Sequence, residues 1–175
     1  MVLSKRIHFI LIIIILFILF GCKEKVTAPE TIAFGILSDY KGCKTFAATS
    51  GLESNPHGVN EECIGYEYNG QGLLVLKHIN AGFNCCPGKI TADITVSGNM
   101  ITIKEKEKEQ GCFCRCLFDI NYEIHELNFG EYSIVIRGLY IEDTDEELRF
   151  NVHLIGPRTG SFCVSRTHYP WDTPN

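Results

Sequence analysis

The chain of 175 residues is short of basic side chains, with 16 Lys and Arg against 21 Asp and Glu and a formal charge of −5 at neutral pH. Phosphate backbones are recognised by clustered Lys and Arg, so this balance argues against a nucleic-acid partner. There is also no apolar run of roughly 20 residues, the length that a helix needs to cross a bilayer. The longest run, Phe9 to Phe20, is twelve residues. No Cys-x-x-Cys occurs, which removes the spacing of thioredoxin-like redox sites. No Gly-x-Ser-x-Gly occurs either. His125-Glu126 is not followed by a second histidine at the spacing of zinc proteases. Gly82 to Lys89 ends in Gly88-Lys89, but Ile90 stands where a phosphate-binding loop needs Ser or Thr. Glu142 to Glu147 lacks the turn glycine of a calcium-binding EF-hand loop and reads as a solvated acidic turn.

What is present begins at the N-terminus. Lys5 and Arg6 precede the apolar run, which closes in Leu19-Phe20-Gly21-Cys22. A short basic region followed by an apolar core of this length is the pattern of a secretory signal. Leu19, Gly21 and Cys22 give the segment its resemblance to the lipobox of bacterial lipoproteins. That resemblance implies cleavage before Cys22, a diacylglyceryl group on its thiol, and a place in the cell envelope, anchored by lipid to a bacterial membrane outside the cytoplasm. The expected organisation is a signal peptide over 1–21, a tether over 22–31 and one cysteine-rich β domain over 32–175. The signal carries Lys5 and Arg6 and no acid, so its loss would take the formal charge from −5 to −7. A domain of this length can bury a sizeable core unaided.

From Ile32 onward the apolar pattern has mostly a period of two, which is the strand period. Gly72 to Ile79 is a strand-forming run. In Lys89 to Ser97, Ile90, Ala92, Ile94 and Val96 share a face. Ser97-Gly98-Asn99 is a turn, and Met100 to Lys104 returns as the second strand of a hairpin. In Cys114 to Ile124, one face carries Cys114, Cys116, Phe118, Ile120, Tyr122 and Ile124. Tyr132 to Arg137, Leu148 to Ile155 and Ser161 to Thr167 complete the expected strands. Thr31 to Asn60 carries no clear period and reads as a loop or short helix. Lys104 to Gln110, KEKEKEQ, reads as a charged edge or loop that discourages edge-to-edge pairing. Short strands with turns between them predict a mainly β fold, an antiparallel β-sandwich or a barrel-like domain. Leu127, Gly130, Tyr132 and Ile134 resemble the turn and strand of immunoglobulin-like and transthyretin-like sandwiches. That likeness implies the same fold class.

Nine cysteines are present. With Cys22 given to lipid, the others are Cys43, Cys63, Cys85, Cys86, Cys112, Cys114, Cys116 and Cys163. An oxidising compartment permits disulfides, and an even set permits complete pairing. On one extended strand, Cys112, Cys114 and Cys116 point to one side and bridge one another poorly. They therefore look for partners among Cys85, Cys86 and Cys163, which leaves Cys43 for Cys63. The alternative is a metal site, for zinc or copper, built from Cys85, Cys86, Cys112, Cys114 and Cys116 with His78 as an added ligand. His78, Asn80, the run Asn84-Cys85-Cys86-Pro87 and Cys112 to Cys116 together resemble cysteine-rich envelope lipoproteins, a likeness that implies no activity. The expectation is a non-enzymatic protein with a binding or structural role, no cofactor, and a membrane partner reached through the lipid. The remaining histidines, His57, His153 and His168, read as surface or core residues. Tyr169-Pro170-Trp171 reads as packing on the sandwich.

Overall fold

A computed structural model describes residues 32–44, 57–108 and 112–172, all within the compact unit Ile32–Asn175. The expected signal peptide, Cys22 and the expected tether lie outside the described residues. Nine strands are described: β1 (Phe34–Lys41), β2 (Glu61–Tyr68), β3 (Leu74–Asn84), β4 (Lys89–Ser97), β5 (Met100–Lys108), β6 (Arg115–His125), β7 (Gly130–Arg137), β8 (Leu148–Leu154) and β9 (Arg158–Ser165). They form a five-stranded sheet in the order β1-β6-β3-β2-β9 and a four-stranded sheet in the order β4-β5-β7-β8. The architecture is a mainly β sandwich. Every pairing is antiparallel except that of β5 with β7, which is parallel.

The alternating residues meet between the sheets. Ile120, Tyr122 and Ile124 of β6 face Ile101 and Ile103 of β5, Ile134 of β7 and Leu154 of β8, all of them sealed from solvent. β4 has the bounds that its alternation implies, and it turns into β5 through Gly98-Asn99, with Ser97 opposite Met100. Gly98 has φ of 55°, a conformation that glycine takes without a Cβ clash. At about 25 cal/mol per Å² of apolar surface removed from water, this shared face supplies the main drive for folding.

Three expectations are corrected. The stretch over 31–60 contains β1, an edge strand, in place of a loop or helix. KEKEKEQ is not a loop as far as Lys108. It is the second half of β5, paired with β4 throughout but with β7 only as far as Lys104, and Glu105 is buried in it while Lys104 and Lys106 are exposed. Cys114 is not on the inner face of a strand, because β6 begins at Arg115 and Cys114 stands exposed just before it.

β3 runs five residues beyond Ile79 because a bulge at Asn80 lets it continue. Asn80 has φ of 63°. Its amide donates to the carbonyls of Gly58 at 2.9 Å and Glu61 at 2.7 Å, and its own carbonyl accepts from Trp171 Nε1 at 2.8 Å. These bonds hold the irregular backbone in place. Trp171 is buried against Gly82, so the Tyr169-Pro170-Trp171 segment packs on the sandwich as expected.

Candidate functional site

The two cysteine clusters lie where the chain crosses from one sheet to the other. Cys85 and Cys86 follow β3 on its way to β4. Cys112 and Cys114 precede β6, where the chain returns from β5. β3 and β6 are antiparallel neighbours whose last register pair is Asn84 with Arg115. One step further along each strand brings Cys85 opposite Cys114, and the Cys85 amide donates to the Cys114 carbonyl at 3.0 Å. The disulfides follow from this alignment. Cys85 pairs with Cys114 and Cys86 with Cys112, at Cα separations of 5.5 and 5.7 Å. The expected link between Cys85-Cys86 and the Cys112–Cys116 cluster is present.

The other half of the expected pairing is corrected. Cys163 bonds to Cys63, and Cys43 bonds to Cys116. Cys63 and Cys163 are direct register partners on β2 and β9. Cys43 leaves β1 alongside β6, where Lys44 donates its backbone N–H to the Leu117 carbonyl at 2.9 Å. Strand neighbours decide both pairs. Cys43 and Cys63 lie on opposite sides of the β6–β3 pair in the strand order, on or just beyond strands that do not touch.

Every one of these eight sulfurs is half of a disulfide. A soft metal binds thiolate, so none of them is a ligand in this state. If the bonds were opened, two groups of donor atoms lie within 4.8 Å of one another: Cys43, Cys85 and Cys116, and separately His57, Cys63 and Cys163. His78 belongs to neither group. It sits on the inner face with Leu74 and Leu76, as its register in β3 dictates, and its ring is taken up by carboxylates.

That histidine is the centre of a buried charge network that the sequence did not disclose. Its Nδ1 meets Glu105 Oε1 at 2.6 Å, and its Nε2 meets Glu62 Oε1 at 2.9 Å. Arg166 Nε donates to Glu62 Oε2 at 2.7 Å, Arg166 Nη1 donates to the Glu146 carbonyl at 2.8 Å, and Tyr122 donates to Glu105 Oε1 at 2.5 Å. Glu62, His78, Glu105 and Arg166 are each no more than 1% exposed. Both ring nitrogens point at carboxylate oxygens, so both must donate, which only imidazolium can do. Two cations then balance two carboxylates. Burial alone would push the His78 imidazole down. The charge and hydrogen bond of Glu105, followed by those of Glu62, outweigh it and raise His78 to about 10. For Tyr122, burial and then the Glu105 charge hold the phenol well above its ordinary range. A histidine held as imidazolium at neutral pH is no general base. It braces sheet to sheet, since His78 comes from one and Glu105 from the other.

A cavity of about 280 Å³ opens beside this network. Glu62 and Arg166 line its inner wall, Ile136 and Leu148 give apolar surface, and Glu142 and Asp145 of the acidic turn stand on its rim. Asp145 is within 3.6 Å of His168 Nδ1, and it accepts from the Glu142 amide at 2.7 Å. The pocket therefore joins an apolar patch to an array of charged side chains. Its two charged groups from the buried network, Glu62 and Arg166, are far apart in the sequence, and no motif in the sequence pairs them.

No protein-family model, curated protein or solved structure matches this chain.

Proposed function

We propose that this chain is a lipid-anchored protein of a bacterial cell envelope, whose disulfide-stabilised β domain has a non-enzymatic binding or structural role outside the cytoplasm. The observation that carries the reading is complete pairing: Cys43, Cys63, Cys85, Cys86, Cys112, Cys114, Cys116 and Cys163 form four disulfides. Four such bonds persist in an oxidising compartment and are rare in the cytosol. The ninth cysteine of the sequence, Cys22, stands outside this even set, and only Gly21 separates it from the end of the apolar run. An acyl-accepting thiol needs that freedom, and two or more acyl chains anchor a protein far more firmly than one. The acidic balance beyond residue 21 suits a body held above a membrane, away from nucleic acid. The binding role would be served by the cavity against Glu62 and Arg166.

The test is Cys22→Ser in the full chain, followed by metabolic labelling with a fatty-acid probe and intact-mass measurement. The wild type is expected to carry acyl chains on Cys22 and to begin at that residue. The variant is expected to stay unlabelled and uncleaved. Labelling that persists in Cys22→Ser would refute the assignment.

A further inference from the structure

The disulfide Cys85–Cys114 and the disulfide Cys43–Cys116 lie against each other at one end of the sandwich. Cys85 Sγ is within 4.8 Å of both Cys43 Sγ and Cys116 Sγ. The four cysteines differ in exposure: Cys114 and Cys43 are exposed, Cys85 is half-buried and Cys116 is buried. A thiolate released at Cys85 would therefore find a second disulfide within a short side-chain movement. This contact explains a feature that a purely structural account leaves idle, the crowding of five cysteines into Cys85-Cys86 and Cys112–Cys116, where two bonds already tie the same pair of corners.

We propose that these two disulfides form a thiol–disulfide exchange relay, with Cys114 as its entry point and an exposed dithiol, on a protein or a small molecule, as its substrate. In the first step one thiolate of the dithiol attacks Cys114 Sγ. A bond forms between the substrate sulfur and Cys114, the Cys114–Cys85 bond breaks, and Cys85 leaves as a thiolate. In the second step Cys85 Sγ attacks Cys116 Sγ. A Cys85–Cys116 bond forms, the Cys43–Cys116 bond breaks, and Cys43 leaves as a thiolate. In the third step the second thiol of the substrate attacks the mixed disulfide and displaces Cys114. The substrate ends as a disulfide, having given up two electrons and two protons. The chain ends with two thiols, Cys114 and Cys43, and one disulfide in place of two. The direction of the second step follows from solvation. A thiolate is better stabilised at exposed Cys43 than at half-buried Cys85, and exchange proceeds by attack of thiolate on disulfide sulfur through such mixed intermediates. The relay carries reducing equivalents from the substrate to Cys114 and Cys43, with the bond through Cys85 and buried Cys116 as the way between them, a role beyond binding or bracing. The absence of Cys-x-x-Cys does not forbid it, because the sulfurs are brought together by strand register and not by sequence spacing.

The experiment uses the full chain with its disulfides formed. In Cys114→Ser, Cys85 loses its partner and becomes a thiol next to Cys43–Cys116. Native alkylation with iodoacetamide at mildly alkaline pH, then acid quenching and non-reducing peptide mapping, is expected to find several-fold more label on Cys43 than on Cys85, together with a Cys85–Cys116 bond. Cys112→Ser is the matched control: it frees Cys86, which belongs to no three-sulfur group among the described residues, and its label is expected to stay on Cys86. Label confined to Cys85 with Cys43–Cys116 intact would overturn the relay. The wild type supplies a second measurement that does not depend on the variant folding. One equivalent of dithiothreitol is expected to leave thiols on Cys114 and Cys43 and a Cys85–Cys116 bond. Thiols on Cys85 and Cys114 alone would overturn the second step, and thiols first on Cys86 and Cys112 would overturn Cys114 as the entry point.

Discussion

Removing His78 is the sharpest test of the buried network. In His78→Leu the side-chain volume is nearly kept, but the imidazolium between two carboxylates is lost. Glu62 still has Arg166, at 2.7 Å from Nε and 2.5 Å from Nη2. Glu105 fares worse. Its Oε1 keeps only the Tyr122 hydroxyl, and its Oε2 has no hydrogen-bond partner even in the intact protein. The damage is therefore one buried carboxylate without a counter-charge. Breaking a buried ion pair in this way costs about 3–5 kcal/mol, a large part of the roughly 5–15 kcal/mol that holds a domain together. The compensating change is Glu105→Leu. With both partners apolar, no charge remains to be desolvated on the Glu105 side, and the double variant should recover most of the loss. The assay is urea unfolding with disulfides intact, followed by fluorescence of Trp171, the single tryptophan of the chain, which is buried. A loss below about 1 kcal/mol in His78→Leu, or a double variant no better than the single one, would refute the network as an ion-paired brace.

The same network sets a pH dependence. His78 is raised from its ordinary 6.5 to about 10, so between those values the folded chain holds a proton that the unfolded chain has released. Stability from this group is full below pH 6.5 and is lost as pH rises towards about 10, by up to about 1.4 kcal/mol per pH unit. Urea midpoints measured across that range should fall in the wild type and stay flatter in His78→Leu/Glu105→Leu. Replacing Cys63 and Cys163 by Ala opens the bond with the longest sequence separation, 100 residues, and should cost about 4–5 kcal/mol in the chain-entropy account. The matching change at Cys86 and Cys112, separated by 26, should cost less, about 2 kcal/mol, because Cys85–Cys114 still closes the same loop, and thermal melts of both variants check the order. Gly82→Val should lower stability by about 1–3 kcal/mol, because a Cβ there would stand 2.8 Å from the Trp171 ring. A shift of Trp171 emission towards that of exposed indole would accompany it, and an unchanged spectrum and melt would count against the packing described.

The residues by themselves determined the strands whose two faces differ in polarity. β4 and β8 alternate cleanly, so burial of one face fixes their conformation whatever they pair with. The same holds for β6, where Cys116, Phe118, Ile120, Tyr122 and Ile124 line up as the spacing implies. The alternation even put His78 on the face of Leu74 and Leu76, where it is found. β1 escaped notice because it is an edge strand with mostly exposed side chains, so no burial pattern marks it; its hydrogen bonds to β6 make it a strand. β2 hides behind Glu61, Glu62 and Gly65, and its Glu62 is at home in the core only because Arg166 and His78 meet it there. KEKEKEQ misled for a related reason. A glutamate facing the core is prohibitive by its own chemistry, and only a histidine from the other sheet makes Glu105 admissible. The cysteine partners were beyond the sequence as well. Which sulfur meets which depends on strand order and on the register of β3 against β6 and β2 against β9. Those are set by how two sheets close on one another, and local periodicity carries no record of them.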